Sequence, residues 1–170
     1  MKYLTGIILL LICCTGVQAQ LKNGDRVTQI TIRDARNQPM ILPWWGEKCY
    51  LIFYPDPDHA SQNKEFIDWL KAHPINSPNI FAFGVVNLRD APFLPNAIIR
   101  MMVRREVRQT GANIYTDVNN TLSGAWNMGD VNNKFCIIFI NRHAEVEFYH
   151  AGEMNLSEQR ALLDVIAKNK

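Results

Sequence analysis

The stretch CYLIFYPDPDHASQNKEFIDWLKA, Cys49 to Ala72, and the run IFAFGVV, Ile80 to Val86, decide the fold of this chain. Cys49 to Tyr54 and Ile80 to Val86 are continuous apolar runs bounded by turn residues. That is the pattern of strands buried on both faces of a sheet, not of strands alternating between core and water. Between them, Ser61 to Ala72 places Phe66, Ile67, Trp69 and Leu70 at helical spacing, with Asp58 or Ser61 suited to accept N–H bonds where the helix starts. Strand, helix, strand is by default a right-handed βαβ unit. Strands buried on both faces then require covering helices.

Upstream, Val27 to Arg33 (VTQITIR) alternates as a half-exposed strand does, Asp34 to Pro39 carries turn residues, and Met40 to Leu42 can pair back as a short strand. Downstream, the pattern predicts a helix over Asn96 to Arg108, a short strand over Asn113 to Thr116 and a helical turn over Thr121 to Trp126. Lys134 to Ile140 (KFCIIFI), the turn Asn141 to Ala144, and Glu145 to Tyr149 read as an antiparallel hairpin. Asn155 followed by Glu158 is a capping box opening a last helix that carries Leu162, Leu163 and Ile166. This order predicts an α/β domain with a mixed sheet and helices on both faces.

The 170 residues are 48% hydrophobic and 20% charged, with a net charge of +2, so they describe one globular domain and no broad cationic field for nucleic acid. Met1 to Ala19 (MKYLTGIILLLICCTGVQA) orders a Lys, an apolar run and small residues as a secretory signal peptide does, with cleavage expected before Gln20. The apolar run is too short for a transmembrane helix, which needs roughly 20 residues. Cys13 and Cys14 allow a lipoprotein signal, but a lipobox wants a small residue before the modified cysteine, and Ile12 or Cys13 fits poorly. The expectation is an exported single domain over residues 20–170 holding two cysteines, Cys49 and Cys136.

The βαβ unit, hairpin and terminal helix together resemble the thioredoxin-like three-layer sandwich in its TlpA and peroxiredoxin variety, carried by Leu51 to Tyr54 and Ile137 to Asn141. More narrowly, VVNLRDA (Val85 to Ala91), TDVNNTLSGAWNM (Thr116 to Met128) and IIFINRHAEVEFYHAGEMN (Ile137 to Asn155) resemble the YtfJ-like family of periplasmic thioredoxin-fold proteins. The resemblance implies a fold and a compartment. Against the thioredoxin pattern, the two Cys-X-X-Cys positions hold Asp58 and Ser61, the peroxidatic position of peroxiredoxins holds Gln62, and the usual cis-proline falls near Phe135. The fold is thus expected without its redox machinery.

Cys49 and Cys136 begin antiparallel neighbouring strands, which sets them roughly 15 Å apart at about 3.4 Å per residue. A disulfide needs Cα atoms within about 7 Å, so none is expected. Cys136 is expected near the loop of Asp56, Asp58, His59 and Ser61, where a helix N-terminus and His59 would favour a thiolate and the two Asp charges oppose it. The leading account of Cys136 is nevertheless a small buried apolar residue in a strand. Asp56, Asp58 and His59 also form a weak divalent-cation cluster, set against plain helix capping by Asp58 with a solvated Asp56. A Ser61–His59 nucleophile pair lacks a third group and an oxyanion loop.

Asn87, Arg89 and Asp90 follow the second buried strand at its carboxyl end, the usual ligand edge of an open α/β sheet. Arg100, Arg104 and Arg108 recur every fourth position beside Arg105, a basic stripe fit for an acidic partner, a phosphate or an anionic headgroup, with Met101, Met102 and Val103 as apolar surface. Trp44, Trp45 and Trp126 read as core or staple residues; exposed, the Trp pair would mark a partner site. The leading expectation is a non-redox thioredoxin-fold module that binds a protein or peptide in the cell envelope, with no cofactor. Its competitors are a thiol-dependent oxidoreductase or peroxidase-like enzyme using Cys136 with His59 and Ser61 close by, and a metal or anion site at Asp56 to His59.

Overall fold

The structure, a computed structural model, describes residues 20–89 and 95–170. Seven strands form one mixed sheet: β1 (Thr31–Arg33), β2 (Pro39–Ile41), β3 (Cys49–Pro55), β4 (Ile80–Asn87), β5 (Ile114–Asp117), β6 (Phe135–Ile140) and β7 (Val146–Ala151). Their spatial order is β2-β1-β5-β4-β3-β6-β7. The inner strands β3, β4 and β5 are parallel, and antiparallel pairs close both sides. Four helices accompany them: α1 (Lys64–Ala72), α2 (Asn96–Thr110), α3 (Thr121–Ala125) and α4 (Leu156–Lys168).

The crossovers β3-α1-β4 and β4-α2-β5 step in the same direction across the sheet, so right-handedness puts α1 and α2 on one face. The core agrees. Leu51, Ile137 and Phe139 pack with Phe66 and Leu70 of α1 and Leu162 and Ile166 of α4. Beside them Leu88, Ile99 and Val103 seat α2 against Val86 and Ile114. On the other face Tyr50, Ile52, Tyr54, Cys136 and Ile138 meet Leu122 of α3, Trp126, Met128 and the N-terminal residues Leu21, Val27 and Ile30. Every residue of β6 is buried, the doubly covered strand that its unbroken apolar run predicts.

Two elements differ from their sequence patterns. Of the alternating Val27 to Arg33, Thr31–Arg33 alone is a paired strand. The preceding segment is instead a strap over the core: Leu21 N–H donates to Asn127 O at 2.8 Å, Gly24 N–H to Val146 O at 2.7 Å, and Val27 N–H to Ala144 O at 2.9 Å. Its alternation reports burial of Val27 and Ile30, which a strap needs as much as a strand. Helix α1 starts three residues later than expected, because a 3-10 turn over Pro57–His59 intervenes. The capping box of α4 is formed as read: Asn155 accepts from Ser157 and Glu158 N–H, and the Glu158 carboxylate accepts from Asn155 N–H. Such a cap stabilises by about 1 kcal/mol.

Candidate functional site

The carboxyl ends of β3, β4 and β5 share one edge, and the loops leaving them hold most of the residues singled out in the sequence. Beyond Pro55 the chain enters Asp56, whose side chain is wholly buried instead of solvated. Its Oδ1 accepts the Asp58 N–H at 2.9 Å and its Oδ2 the Asn133 N–H at 2.8 Å. Asp56, not Asp58, is therefore the capping residue, and it caps the 3-10 turn. The N-cap of α1 is Asn63, in the left-handed region at φ 60° and without a side-chain cap bond. Asp58 and Ser61 caps are corrected accordingly; both side chains lie in exposed residues of the turn.

Two neighbours that carried no signal in the sequence tie this loop down. Gln62 donates through Nε2 to Asn133 O at 3.1 Å and accepts the Phe135 N–H at 2.8 Å. Asn63 donates to Gly152 O at 2.9 Å and accepts the Met154 N–H at 2.7 Å. Their partners lie 71 to 91 positions away along the chain, beyond any local motif. At the peroxidatic position of the resemblance this chain thus carries Gln62, engaged with its own backbone, while Asp58 and Ser61 at the Cys-X-X-Cys positions are exposed. Alongside opens a groove of about 470 Å³ lined by Ser61, Gln62, Lys64, Phe66, Met154 and Gln159.

Cys136 does not join this loop. It pairs with Tyr54 in the β3–β6 ladder and faces the α3 side of the sheet, opposite α1, among Tyr54, Met128 and Ile138. Its exposure is 0%. Burial pushes the thiol up to about 12, although the adjoining Tyr149 hydroxyl draws it partly back. The expected help from the α1 terminus and His59 is therefore corrected: a thiol in this setting is neither ionised near neutral pH nor reachable. Cys49 sits at the far end of β3, also buried, with its thiol raised by burial, and the two cysteines are free.

His59 and Ser61 share no hydrogen bond, and the buried Nδ1 of His59 has no partner. With both Asp56 oxygens taken by backbone N–H groups, the loop gathers no metal cluster; among the described residues no three His, Cys, Asp or Glu side chains converge to hold an ion. Along the same edge Asn87, fully buried, accepts the Arg89 N–H at 3.0 Å through its side chain, and Arg89 itself is exposed. Asp90 lies outside the described residues.

Asp117, opposite Asn87 in the ladder, is a further residue that sequence reading missed. It is 1% exposed and accepts the Thr121 N–H at 2.7 Å, the Leu122 N–H at 2.9 Å and the Tyr54 hydroxyl at 3.1 Å. An Asp at a strand end four residues before a helical turn was the available signal. Burial, then the Asp117 charge, raises the Tyr54 phenol far above its ordinary value.

The arginines of α2 split. Arg105 and Arg108 are exposed, whereas Arg100 and Arg104 are half-buried and Arg104 donates to Ala35 O at 3.3 Å. Met101 and Met102 are exposed as expected, but Val103 is in the core and drops out of the surface. Trp126 is buried with its Nε1–H on Thr28 O at 2.9 Å, Trp45 packs on the core, and Trp44 is half exposed beneath the Lys48 ammonium.

No protein-family profile and no curated protein matches this chain. Solved structures do. A peroxiredoxin-like protein from Aquifex aeolicus superposes at TM-score 0.59 with 14% identity, over 91% of each chain. The exposed lipoprotein thioredoxin of Streptococcus pneumoniae matches at TM-score 0.61 and 10% identity, covering 83% of this chain and 99% of that one. The thioredoxin domain of a thiol-disulfide oxidoreductase from Bacteroides vulgatus matches at TM-score 0.57 and 10% identity, covering 86% and 99%. With the seven-stranded mixed sheet and its covering helices, these likenesses establish a thioredoxin-like fold.

Proposed function

We propose that this chain is an exported thioredoxin-fold protein that binds a protein or peptide of the cell envelope and performs no thiol chemistry. The observation that carries the reading is the placement of Cys136: wholly buried, on the sheet face away from α1, with its thiol pushed up to about 12. Asp58 and Ser61 occupy the turn where the thioredoxin resemblance puts its two cysteines, and neither can form a disulfide. The loop edge with Asp58, Arg89 and the groove beside Ser61 is the surface assigned to the partner. The signal-like Met1 to Ala19 and the likeness to the YtfJ-like segments support the envelope address.

Insulin reduction by residues 20–170 tests the chemistry. No turnover, and no alkylation of Cys136 below the unfolding transition, are expected. Turnover that disappears in Cys136→Ser would make the lone-thiol oxidoreductase the correct reading. A photo-crosslinker at Ser61 tests the surface: it is expected to trap one envelope protein that the same group at the exposed Asp164 does not.

A further inference from the structure

The outer side of α2 and the β1–β2 edge form one basic, partly apolar surface that the reading above does not use. Ile99 and Val103 face the core, so at 100° per residue the outer side of the helix carries Ile98, Met101 and Arg105, with Met102 on the flank away from Arg100 and Arg104. Ile98, Met101 and Met102 are 40%, 55% and 57% exposed. Arg100, Arg104 and Arg108 run along the flank that meets the β1–β2 turn, where Arg104 reaches Ala35 O. Ile32 points into the core on the α3 side, so its neighbour Arg33 turns to the α2 side. Ile41, paired with Thr31, turns the same way and is 57% exposed.

Six arginines, Arg33, Arg36, Arg100, Arg104, Arg105 and Arg108, meet two carboxylates on these elements, Asp34 and Glu106. The Asp34 carboxylate is engaged with the Arg36 and Gln38 N–H groups. None of the six arginines forms an ion pair among the described residues. The pairs among the described residues, Arg26–Glu145, Lys64–Asp68, Lys71–Asp68, Lys134–Asp130, His150–Glu158 and Lys168–Glu147, lie elsewhere on the molecule.

We infer that this surface docks on an anionic phospholipid leaflet, with Ile98, Met101 and Met102 entering the headgroup boundary and the arginines on lipid phosphates. Guanidinium groups suit phosphate oxygens in bidentate contact. The apolar side chains stand out from a convex helix flanked by positive charge, the form that adsorbs to a charged interface. The inference concerns a different surface from the loop edge and does not rest on the partner-binding proposal.

Co-sedimentation of residues 20–170 with vesicles of phosphatidylglycerol and phosphatidylcholine in equal parts tests it. Binding is expected, with none to pure phosphatidylcholine. It should weaken about thirtyfold in Arg105→Gln/Arg108→Gln, as two fewer cations at the leaflet imply, and should weaken also in Met101→Ser/Met102→Ser, which leaves the charge intact. All four positions are exposed, and unchanged circular dichroism would certify the variants as folded. No sedimentation with the anionic vesicles, or equal binding by the double-arginine variant, overturns the inference. Complete competition by glycerol phosphate would make a free phosphate ester the ligand and overturn it. Capture of polyglutamate by the same arginines without vesicle binding would do so in favour of an acidic protein.

Discussion

The loop between β3 and α1 and the outer side of α2 are both rich in polar groups, and the two use them in opposite ways. In the loop, Asp56, Gln62 and Asn63 are consumed by backbone partners in the 133–135 and 152–154 segments. On α2, Arg105 and Arg108 are exposed and meet no carboxylate among the described residues. A polar side chain satisfied within the fold holds the structure, whereas one left to solvent is available to another molecule. That difference separates polar side chains that hold the β3–α1 loop in place from arginines that stand in solvent on α2.

The comparison breaks if the loop turns out to be merely decorative. Asp56→Ala deletes a wholly buried side chain and its two charge-assisted bonds to the Asp58 and Asn133 N–H groups, and denaturant unfolding is expected to show a loss of about 3 kcal/mol. A loss under 0.5 kcal/mol would place Asp56 with the dispensable surface charges.

The interior thiol sharpens it at high pH. Cys136 has its folded value raised from 9.0 to about 12, so the stability it contributes is complete below pH 9 and is lost as pH rises toward 12. Stability should fall in that window with a slope of about 1.4 kcal/mol per pH unit from this group. Cys136→Ala should remove that portion of the slope, leaving the part contributed by the buried tyrosines. A smaller effect comes from Asn63→Gly, which keeps the φ of 60° and deletes both hydrogen bonds. It should cost about 1–2 kcal/mol by the same unfolding measurement. At the other extreme, Arg105→Gln/Arg108→Gln should change the unfolding free energy by less than about 0.5 kcal/mol, since no internal partner is lost.

The fold was legible because its elements are marked locally. The runs Cys49 to Tyr54 and Ile80 to Val86, the periodic Phe66 and Leu70, and the Asn155–Glu158 box each state their structure within a few residues. The candidate site was legible in part. Its place along the chain followed from the strand end at Pro55, but the role of each polar residue did not, because Asp56 meets Asn133 and Asn63 meets Met154 across most of the domain.

Cys136 shows the limit most clearly. A strand with one wet face reveals by its alternation which residues look inward, but Phe135 to Ile140 is apolar throughout and buried on both sides, so nothing in the run marks the face of its cysteine. Element order, the hairpin, the terminal helix and the missing redox pair follow from the sequence alone, since each rests on residue type and short-range spacing. The register of β6 against β3 sets Cys136 opposite Tyr54 and away from α1. That pairing depends on packing between segments some 80 residues apart. The sequence already favours Cys136 as a buried strand residue; only the tertiary structure decided which face of the sheet it takes.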